Sequence, residues 1–127
     1  METDLITRKI IGAAMTAHSE LGPGLLESVY ESCLWRELKE SGMRAERQVQ
    51  LPLVDKGETI ESGFRLDLLV ENEVIVELKT VESLLAIHEA QLLTYLKLSG
   101  KRVGLLINFN SVHLRGGIKR LVNKFHE

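Results

Sequence analysis

Three isolated charges interrupt two apolar stretches between Arg65 and Thr80. This segment reads Arg-Leu-Asp-Leu-Leu-Val-Glu-Asn-Glu-Val-Ile-Val-Glu-Leu-Lys-Thr. Its leucine and β-branched residues predict two strands, and the three charges are Asp67, Glu77 and Lys79. Ionised side chains are rarely buried unless they are paired or bind a metal ion. The strands are therefore expected to carry a site that needs these charges.

The length of the loop between the two strands decides which side chains face each other. A three-residue loop over Glu71, Asn72 and Glu73 pairs Val70 with Val74. Either Asn72 or Glu73 is expected to adopt the left-handed conformation that such loops need. A two-residue loop shifts the register by one residue and places the carboxylates on opposite faces of the sheet.

The three-residue loop is preferred because the alternative buries an aspartate in the apolar layer. In this register Asp67 lies opposite Glu77 with β-carbons about 4.5–5.5 Å apart, and Lys79 faces the same way. Two carboxylates at that separation can bind one divalent cation. One face of the hairpin is then expected to be wholly apolar, with Leu66, Leu68, Val70, Val74, Val76 and Leu78. The other carries the charges, with Arg65, Asp67, Glu77, Lys79, Leu69 and Ile75.

Length and composition predict one ordinary globular domain over residues 1–127. No apolar run is long enough to span a bilayer, and the acidic start Met-Glu-Thr-Asp is unlike a secretory signal. A cytoplasmic location and no membrane partner are therefore expected. The single cysteine, Cys33, excludes a four-cysteine zinc or iron–sulfur site within one chain.

A net charge of −2 argues against a protein that coats nucleic acid non-specifically. A local basic surface stays possible because cations concentrate in the last quarter of the chain. A solvated surface and a phosphate-binding surface explain this concentration about equally well. Its members are Lys101, Arg102, Arg115, Lys119, Arg120 and Lys124.

The spacing of apolar residues predicts a mixed α/β fold with the element order ααβββαβα. Glycines end three of the predicted helices, and Asp55-Lys56-Gly57 predicts a turn between the first two strands. The result is a central four-stranded mixed sheet flanked by helices. The helices are predicted over Leu5 to Leu21, about Leu25 to Glu40, Leu84 to Leu98 and Ile118 to about Phe125. The strands are predicted around Val49 to Leu53, from the turn to Leu69, on to Thr80, and over Val103 to Phe109.

This order, with an aspartate and a Glu-x-Lys on successive strands, resembles the PD-(D/E)XK nuclease superfamily. The segment Gln91-Leu92-Leu93-Thr94-Tyr95 is similar to the Gln-x-x-x-Tyr motif of its RecB-like branch. Upstream, Gly24-Leu25-Leu26-Glu27-Ser28-Val29-Tyr30 is similar to the Gly-x-x-Glu-x-x-Tyr motif that names a small family in the superfamily, the GxxExxY family. The segment Leu-Leu-Ile-Asn-Phe-Asn is similar to that family as well. The resemblance runs from about Ile10 to Val122 and implies a restriction-endonuclease-like core.

The resemblance also implies a metal site. Asp67 and Glu77 would bind Mg²⁺ or Mn²⁺ together with the backbone carbonyl of Leu78, and Glu27 would complete the site. Lys79 would position or activate the attacking water. Hard oxygen ligands of this kind suit magnesium, which keeps several of its waters.

The helix after Lys79 is implied to contribute supporting residues. Gln91 would orient Lys79 or the substrate, and Tyr95 would support that face or contact phosphate. Gln91 and Tyr95 are four residues apart and so lie on one helical face, with His88 a turn before as a supporting group. Tyr30 completes the supporting set as a member of the Gly-x-x-Glu-x-x-Tyr motif.

Each of these residues also has an ordinary structural explanation. Glu27 is the kind of acid that a helix dipole favours in a first turn. Asp67 and Lys79 are compatible with a structural ion pair across the hairpin, although such a pair leaves Glu77 unexplained. Gln91 and Tyr95 are compatible with buried polar groups bonded to the backbone, and Tyr30 is compatible with an aromatic residue of the core.

The sequence therefore predicts a Mg²⁺-dependent nuclease, with DNA as the expected substrate and a homodimer as a possible assembly. Arg65, Arg115 and Lys119 are the candidate contacts to nucleic acid. The start of the predicted last helix, with Arg115, is expected to meet a phosphate. Two alternatives use the same residues: a catalytically silent binding module in a larger complex, and a metal-dependent hydrolase of small phosphoesters.

Overall fold

The computed structural model describes residues 1–124, without the side chains of residues 61 and 62. Within these residues the chain forms three α-helices, five strands and one short 3₁₀ helix. The helices are α1 (Thr3–Leu21), α2 (Glu27–Glu40) and α3 (Ala86–Ser99), and the 3₁₀ helix covers Leu114–Gly117. The strands are β1 (Ala45–Asp55), β2 (Glu58–Val70), β3 (Val74–Lys79), β4 (Val103–Asn108) and β5 (Ile118–Val122).

The five strands form one mixed sheet in the order β1-β2-β3-β4-β5. β3 and β4 are parallel, and the other neighbouring strands are antiparallel. The carboxyl ends of β3 and β4 therefore meet at one end of the sheet, as parallel strands must. Among residues 1–124, no helix is long and apolar enough to cross a membrane.

The sheet is covered on both faces, so the fold has three layers. Helices α1 and α2 pack against one face through a large apolar cluster that includes Ile10, Leu34 and Val76. Helix α3 packs against the other face through Leu92 and Leu96. Gly104 on β4 permits this close approach, since a β-carbon there would lie 3.0 Å from the Leu92 side chain. The prediction of a mixed α/β fold is confirmed, and each of the first three of the four predicted helices starts within two residues of its predicted position.

The predicted last helix is wrong, because Ile118–Val122 is the edge strand β5. The apolar residues Ile118, Leu121 and Val122 have helical spacing, and this spacing misled the prediction. In the fold the segment pairs antiparallel with β4, which would otherwise expose an unpaired edge of the sheet. The sheet therefore has five strands in the described residues rather than four. The predicted end of that helix, Phe125, lies outside the described residues.

Gly117 explains how the chain turns back to form β5. A β-carbon at this residue would lie 2.5 Å from the Ser111 hydroxyl and 2.7 Å from the Asn108 carbonyl. Only glycine permits such a close return toward the end of β4.

The predicted register of the β2–β3 hairpin is confirmed, since Val70 pairs with Val74 and the loop has three residues. The left-handed residues are Glu71 and Asn72, with φ of 53° and 54°. The expectation for Asn72 is therefore confirmed, and Glu73 is not among the left-handed residues.

The predicted composition of the apolar face is wrong at Leu66. This residue packs in the α3 layer with Leu69, whereas Leu68 packs on the opposite face beneath α1 and α2. The alternation of faces is broken between Leu66 and Leu68, at Asp67, where the strand departs from regular pairing.

Candidate active site

Strands β2 and β3 separate just beyond the apolar half of their hairpin. Regular pairing stops at Leu68 and Val76. Beyond that point the Asp67 amide donates a hydrogen bond to Oε2 of Glu77 at 2.8 Å, and the Leu78 amide donates one to Oδ2 of Asp67 at 2.9 Å. Each carboxylate thus takes the place of a backbone carbonyl in the ladder. The two strands form a fork that the two carboxylates fill.

Burial and neighbouring acids disfavour the ionised form of both carboxylates. Glu77 is only 5% exposed, and burial together with the nearby Asp67 raises its pKa to about 8. Burial also raises the pKa of Asp67, although the hydrogen bond from the Leu78 amide opposes this shift. A buried carboxyl group beside a half-buried one, both of which resist ionisation, is a common arrangement at functional sites.

Glu27 approaches the fork from the first residue of α2. Its pKa is raised by partial burial and then by the charge of Asp67, so the two carboxylates lie near each other. Glu27 remains accessible to solvent. The first turn of α2 also places this acid at the positive end of the helix dipole. The helix dipole therefore accounts for an acid at residue 27, and the same residue also lies close to the fork.

Lys79 is the cation of this cluster. It lies two residues beyond Glu77 on β3, is partly exposed, and lowers the pKa values of Glu27, Asp67 and Glu77 by its positive charge. The ion pairs that join two described residues are Arg47–Glu31, Lys119–Glu89 and Arg120–Asp4. Lys79 belongs to none of them, so the structure does not support a structural ion pair between Asp67 and Lys79. Its ammonium group remains available beside the carboxylates.

Gln48 is a residue of this region that the sequence prediction missed. It lies on β1 across from Asp67, with a left-handed φ of 50°, and the pairing of β1 with β2 skips it. Its side-chain Nε2 donates to Oε1 of Glu31 at 2.6 Å, and the nearby Gln48 amide lowers the pKa of Asp67. A non-glycine residue in this conformation is uncommon and costs free energy. The amide is therefore bonded to Glu31 of α2 and lies beside the Asp67 carboxyl of β2.

Glu31 is the second missed residue. It is buried, and it accepts hydrogen bonds from Gln48 and from the Arg47 guanidinium, the latter at 3.2 Å. The sequence did hold a signal, because Glu31 follows Glu27 by four residues and so lies on the same face of α2. No comparable signal marked Gln48, since only the sheet places it opposite Asp67.

Helix α3 brings Tyr95 close to the fork. Its ring stacks on Phe64 of β2 with centroids 4.6 Å apart. Partial burial raises the pKa of its hydroxyl, and the charges of Glu77 and Asp67 raise it further. Tyr95 therefore lies within electrostatic reach of both carboxylates.

The two other predicted residues of α3 have different surroundings. Gln91 is exposed one helical turn before Tyr95 and shares its face of the helix. No hydrogen bond between residues of the described chain joins Gln91 to the carboxylates. His88 accepts a hydrogen bond at Nδ1 from the Leu85 amide at 2.9 Å, and this contact closes the start of α3. His88 therefore has a structural partner at the helix terminus.

Tyr30 supports the segment that leads into α2. Its hydroxyl donates to the Gly22 carbonyl and accepts from the Leu25 amide at 3.1 Å. Its ring stacks on Phe109 with centroids 4.8 Å apart, and the residue is fully buried. Tyr30 is thus a core aromatic residue that fixes the loop immediately before Glu27.

Asn108 fixes the segment that follows Lys79, as Tyr30 fixes the loop before Glu27. Its buried side chain accepts a hydrogen bond from the Val81 amide at 3.1 Å and donates one to the Val81 carbonyl at 2.9 Å. The Lys79 carbonyl accepts a hydrogen bond from the Phe109 amide at 2.9 Å. The connection after β3 is therefore held firmly against the end of β4.

The three candidate cations for nucleic acid are dispersed. Lys119 on β5 is paired with Glu89 of α3 at 2.9 Å. Arg65 is exposed on β2, close in sequence to Asp67. Arg115 lies in the 3₁₀ helix and borders a depression beside α1. Because Ile118–Val122 is a strand, the expectation that the N-terminus of a last helix meets a phosphate is wrong as well.

The chemistry of the fork fits a divalent cation. Among residues 1–124, no group of three or more His, Cys, Asp or Glu side chains is already arranged around a common metal position. The fork nevertheless provides carboxylate oxygens of the buried Glu77 and the half-buried Asp67, and a cation would relieve the repulsion that Asp67 exerts on Glu77. A small set of carboxylate oxygens completed by water is how proteins usually bind Mg²⁺. Asp67 and Glu77, with Glu27 at the rim, are the residues that would hold it.

Comparison with known proteins agrees with this geometry. A three-layer fold with paired carboxylates and a lysine at a fork in its central sheet is that of a restriction-endonuclease-like domain. The family model of the PD-(D/E)XK nuclease superfamily matches residues 4–121, and the chain belongs to that superfamily. Nucleases of this superfamily generally use divalent metal ions.

One solved structure shares the fold. The crystal structure of a protein called SSO0001 aligns with a TM-score of 0.56 and 22% identity, over 92% of this chain and 60% of that chain. This chain therefore spans 60% of the length of that structure, and at this identity the likeness shows the fold alone. No curated protein matches the chain significantly in sequence.

Proposed function

We propose that this chain is a Mg²⁺- or Mn²⁺-dependent nuclease that hydrolyses phosphodiester bonds in DNA. The observation that carries the proposal is the β2–β3 fork, where Asp67 and Glu77 replace backbone carbonyls in the ladder. A sheet gains no stability from this substitution, because it places the buried Glu77 carboxylate beside the half-buried carboxylate of Asp67. Cation binding is the function that accounts for it.

Asp67, Glu77 and Glu27 would hold the cation, together with the Leu78 carbonyl. The Leu78 amide points toward β2, since it donates to Asp67. The amide and carbonyl of one strand residue point to the same side, so the Leu78 carbonyl also faces the fork. When bound, a divalent cation of this kind polarises the phosphate and lowers the pKa of a bound water.

Lys79 would act on the phosphate and the attacking water. Its ammonium group offers hydrogen bonds to a non-bridging phosphate oxygen and offsets the charge that develops there. In the hydrolysis, the water oxygen bonds to phosphorus while one phosphorus–oxygen ester bond breaks, and the departing oxygen takes up a proton. Gln91 and Tyr95 would orient Lys79 or the substrate from α3. Gln48 would help to position Asp67, since it lies across from that residue and lowers the pKa of its carboxyl.

A narrower family assignment is also part of this proposal. The segment from Gly24 to Tyr30 matches the Gly-x-x-Glu-x-x-Tyr pattern, and the segment from Gln91 to Tyr95 matches that of the RecB-like branch. In the fold, the first segment brings Glu27 to the fork and the second brings Tyr95 near it. These placements support membership of the GxxExxY family within the RecB-like branch.

A direct test is cleavage of linear, nicked, single-stranded and branched DNA by the purified protein with Mg²⁺ or Mn²⁺. Wild type should cleave at least one substrate, and Glu77→Gln and Lys79→Ala should not. Matched controls are Glu40→Gln and Lys56→Ala, which change exposed residues of α2 and of the β1–β2 turn. Cleavage that survives at equal rate in Glu77→Gln and Lys79→Ala would come from a contaminant and would remove support from the proposal.

The assay also separates the two alternatives. Calorimetric titration with Mg²⁺ or Mn²⁺ that shows binding without cleavage of any DNA would favour a silent binding module. Hydrolysis of bis-p-nitrophenyl phosphate alone would favour a small-phosphoester hydrolase. The homodimer stays a prediction, which sedimentation analysis of the metal-free protein and of its DNA complex would test.

A further inference from the structure

Glu31 is a buried acid of α2 that the proposed metal site does not include. The residue is 7% exposed, and it follows Glu27 by four residues on the same face of the helix. Its Oε2 accepts hydrogen bonds from Nε and Nη2 of Arg47 at 3.3 and 3.2 Å. Its Oε1 accepts one from Nε2 of Gln48 at 2.6 Å. Both carboxylate oxygens are therefore bonded to donors on β1.

Arg47 is held against α2 by more than its ion pair with Glu31. Its Nη2 also donates to the Ser32 hydroxyl at 3.0 Å, and its guanidinium lies 5.3 Å from the centre of the Trp35 ring. A guanidinium over an aromatic face is attracted to it. The Arg47–Glu31 pair is therefore sufficient to join β1 to α2.

Gln48 is not needed for that connection, yet its backbone adopts a costly conformation. Regular alternation from Arg47, which pairs with Leu68 beneath α1 and α2, would direct the next side chain to the opposite face of the sheet. The left-handed φ of 50° at Gln48 instead turns this side chain toward Glu31. Strain at a residue that faces a cluster of acids points to a functional role.

The Glu31 carboxylate determines the orientation of the Gln48 amide. A carboxylate accepts hydrogen bonds but donates none, so the amide atom 2.6 Å away is the nitrogen. This nitrogen carries a second hydrogen, and the Asp67 carboxyl lies beside the same amide, which lowers its pKa. Without Glu31 the amide would be free to turn and to present its oxygen to Asp67, where it would repel a carboxylate.

We propose that Glu31 is a positioning residue of the metal site: together with Arg47 it fixes the Gln48 amide, and the amide in turn holds the Asp67 carboxylate in the orientation that binds the cation. This inference rests on the proposed function. Groups that hold metal ligands in place from outside the site typically change metal affinity about 10- to 100-fold when they are lost. The network thereby connects α2, which bears Glu27, to Asp67 of β2.

The experiment measures Mn²⁺ affinity by calorimetry at neutral pH, without DNA. Glu31→Ala and Gln48→Gly should each weaken Mn²⁺ binding by about 10- to 100-fold. Gln48→Gly keeps the left-handed φ without strain, so it remains decisive if Glu31→Ala does not fold. The matched control is Glu40→Ala, which removes an exposed acid from the end of α2 and should bind Mn²⁺ like wild type.

The double variant tests whether Glu31 acts through Gln48. If both substitutions remove the same contact to Asp67, the double variant should bind Mn²⁺ no more weakly than the weaker single variant. Fully additive losses would show that Glu31 acts on the cation by another route and would overturn the inference.

NMR of the Gln48 side-chain amide tests the orientation directly in the metal-free protein. Its two hydrogens should give signals well separated from those of the exposed Gln91 amide, because one of them is bonded to Glu31. In Glu31→Ala the Gln48 signals should move toward those of Gln91. A purely structural role for Glu31 predicts a less stable protein in which the Gln48 signals and the Mn²⁺ affinity are unchanged.

These outcomes are distinct from those of the cleavage assay. Unchanged Mn²⁺ affinity in Glu31→Ala and Gln48→Gly would overturn the inference even if wild type cleaves DNA. Weaker Mn²⁺ binding in both variants of a protein that cleaves no DNA would support the inference and count against the nuclease proposal. Absence of Mn²⁺ binding by wild type would overturn the inference together with the metal requirement of the proposed function.

Discussion

The two halves of the β2–β3 hairpin differ sharply although they belong to the same pair of strands. Next to the loop, backbone pairs from Leu68–Val76 to Val70–Val74 form a regular ladder between buried side chains. Beyond Leu68, the carboxylates of Asp67 and Glu77 accept the amide hydrogen bonds instead. We call the first the closed half and the second the open half.

Within this single hairpin, one half contributes mainly to stability and the other half carries the proposed function. The closed half buries apolar surface on both sides and satisfies its own backbone, so it contributes to the stability of the fold. The open half buries charge and leaves its strands apart, which opposes stability but creates a set of oxygen ligands. Substitutions in the closed half should therefore lower stability and spare activity, whereas a substitution such as that of Lys79 in the open half should lower activity and spare stability.

The largest effect is expected on activity in the open half. Lys79→Ala should lower DNA cleavage by about 10²- to 10³-fold, because it removes a donor to the charge that develops on phosphate. Its melting temperature should stay close to that of wild type, since Lys79 forms no ion pair in the described structure. Single-turnover cleavage and thermal unfolding measure the two quantities, with Lys56→Ala as control. A variant that unfolds early would assign Lys79 a structural role instead.

In the closed half the effect should fall on stability. Leu68 is fully buried in the layer beneath α1 and α2. Leu68→Ala should reduce the free energy of unfolding by about 2–5 kcal/mol through lost burial and a residual cavity. Urea titration measures this loss. The protein that remains folded should cleave DNA at the wild-type rate, and a parallel loss of single-turnover rate would show that the two halves are coupled.

The pH dependence of stability should reflect the ionisation of Glu77 in the open half. The unfolded Glu77 carboxyl ionises near its ordinary pKa of 4.5, whereas the folded one ionises at about 8. Between these values the folded state holds a proton that the unfolded state has lost. Stability of the metal-free protein should therefore fall as the pH rises through this window, by an amount on the order of a few kcal/mol.

Glu77→Gln is the matched variant for this prediction, because it keeps the shape without the ionisation. Its stability should change less over the same pH range and exceed that of wild type at pH 8. Mg²⁺ should stabilise wild type more at pH 8 than at pH 5, since metal and proton compete for the same carboxylates. Thermal unfolding across pH, with and without Mg²⁺, gives both curves. A wild-type profile that follows the Glu77→Gln profile would contradict the raised pKa.

The smallest effect is expected for Gln48, a residue of β1 that lies across from Asp67 in the open half. Gln48→Ala loses the amide and keeps a strained φ of 50°, whereas Gln48→Gly loses the amide and relieves the strain. The glycine variant should therefore be more stable than the alanine variant, by roughly 0.5–1 kcal/mol. Both should raise the pKa of Asp67, which NMR titration of the carboxyl measures. Equal stability of the two variants would contradict strain at this residue.

The closed half and the register of the open half were predictable from the sequence. Apolar alternation and the length of the Glu71–Glu73 loop were sufficient to pair Val70 with Val74. The loop decides the register because a change of one residue would move every side chain to the other face. The segment that became β5 was not predictable in the same way. Five residues with Ile118, Leu121 and Val122 fit a helical spacing equally well, and only the unpaired edge of β4 made the strand favourable.

The sequence by itself determined which residues are chemically unusual: two carboxylates and a lysine among apolar strand residues, with Glu27 and Tyr95 in recognisable motifs. Local patterns suffice for this because charge in a buried strand is costly wherever the strand lies. Only the tertiary structure decided how these groups are held. Gln48, Glu31 and Asn108 reach the site through sheet pairing and hydrogen bonds between residues far apart in the chain, as in the bonds from Gln48 to Glu31 and from Asn108 to Val81. The fork itself, in which side chains replace the backbone ladder, exists only once β1, β2 and β3 lie side by side.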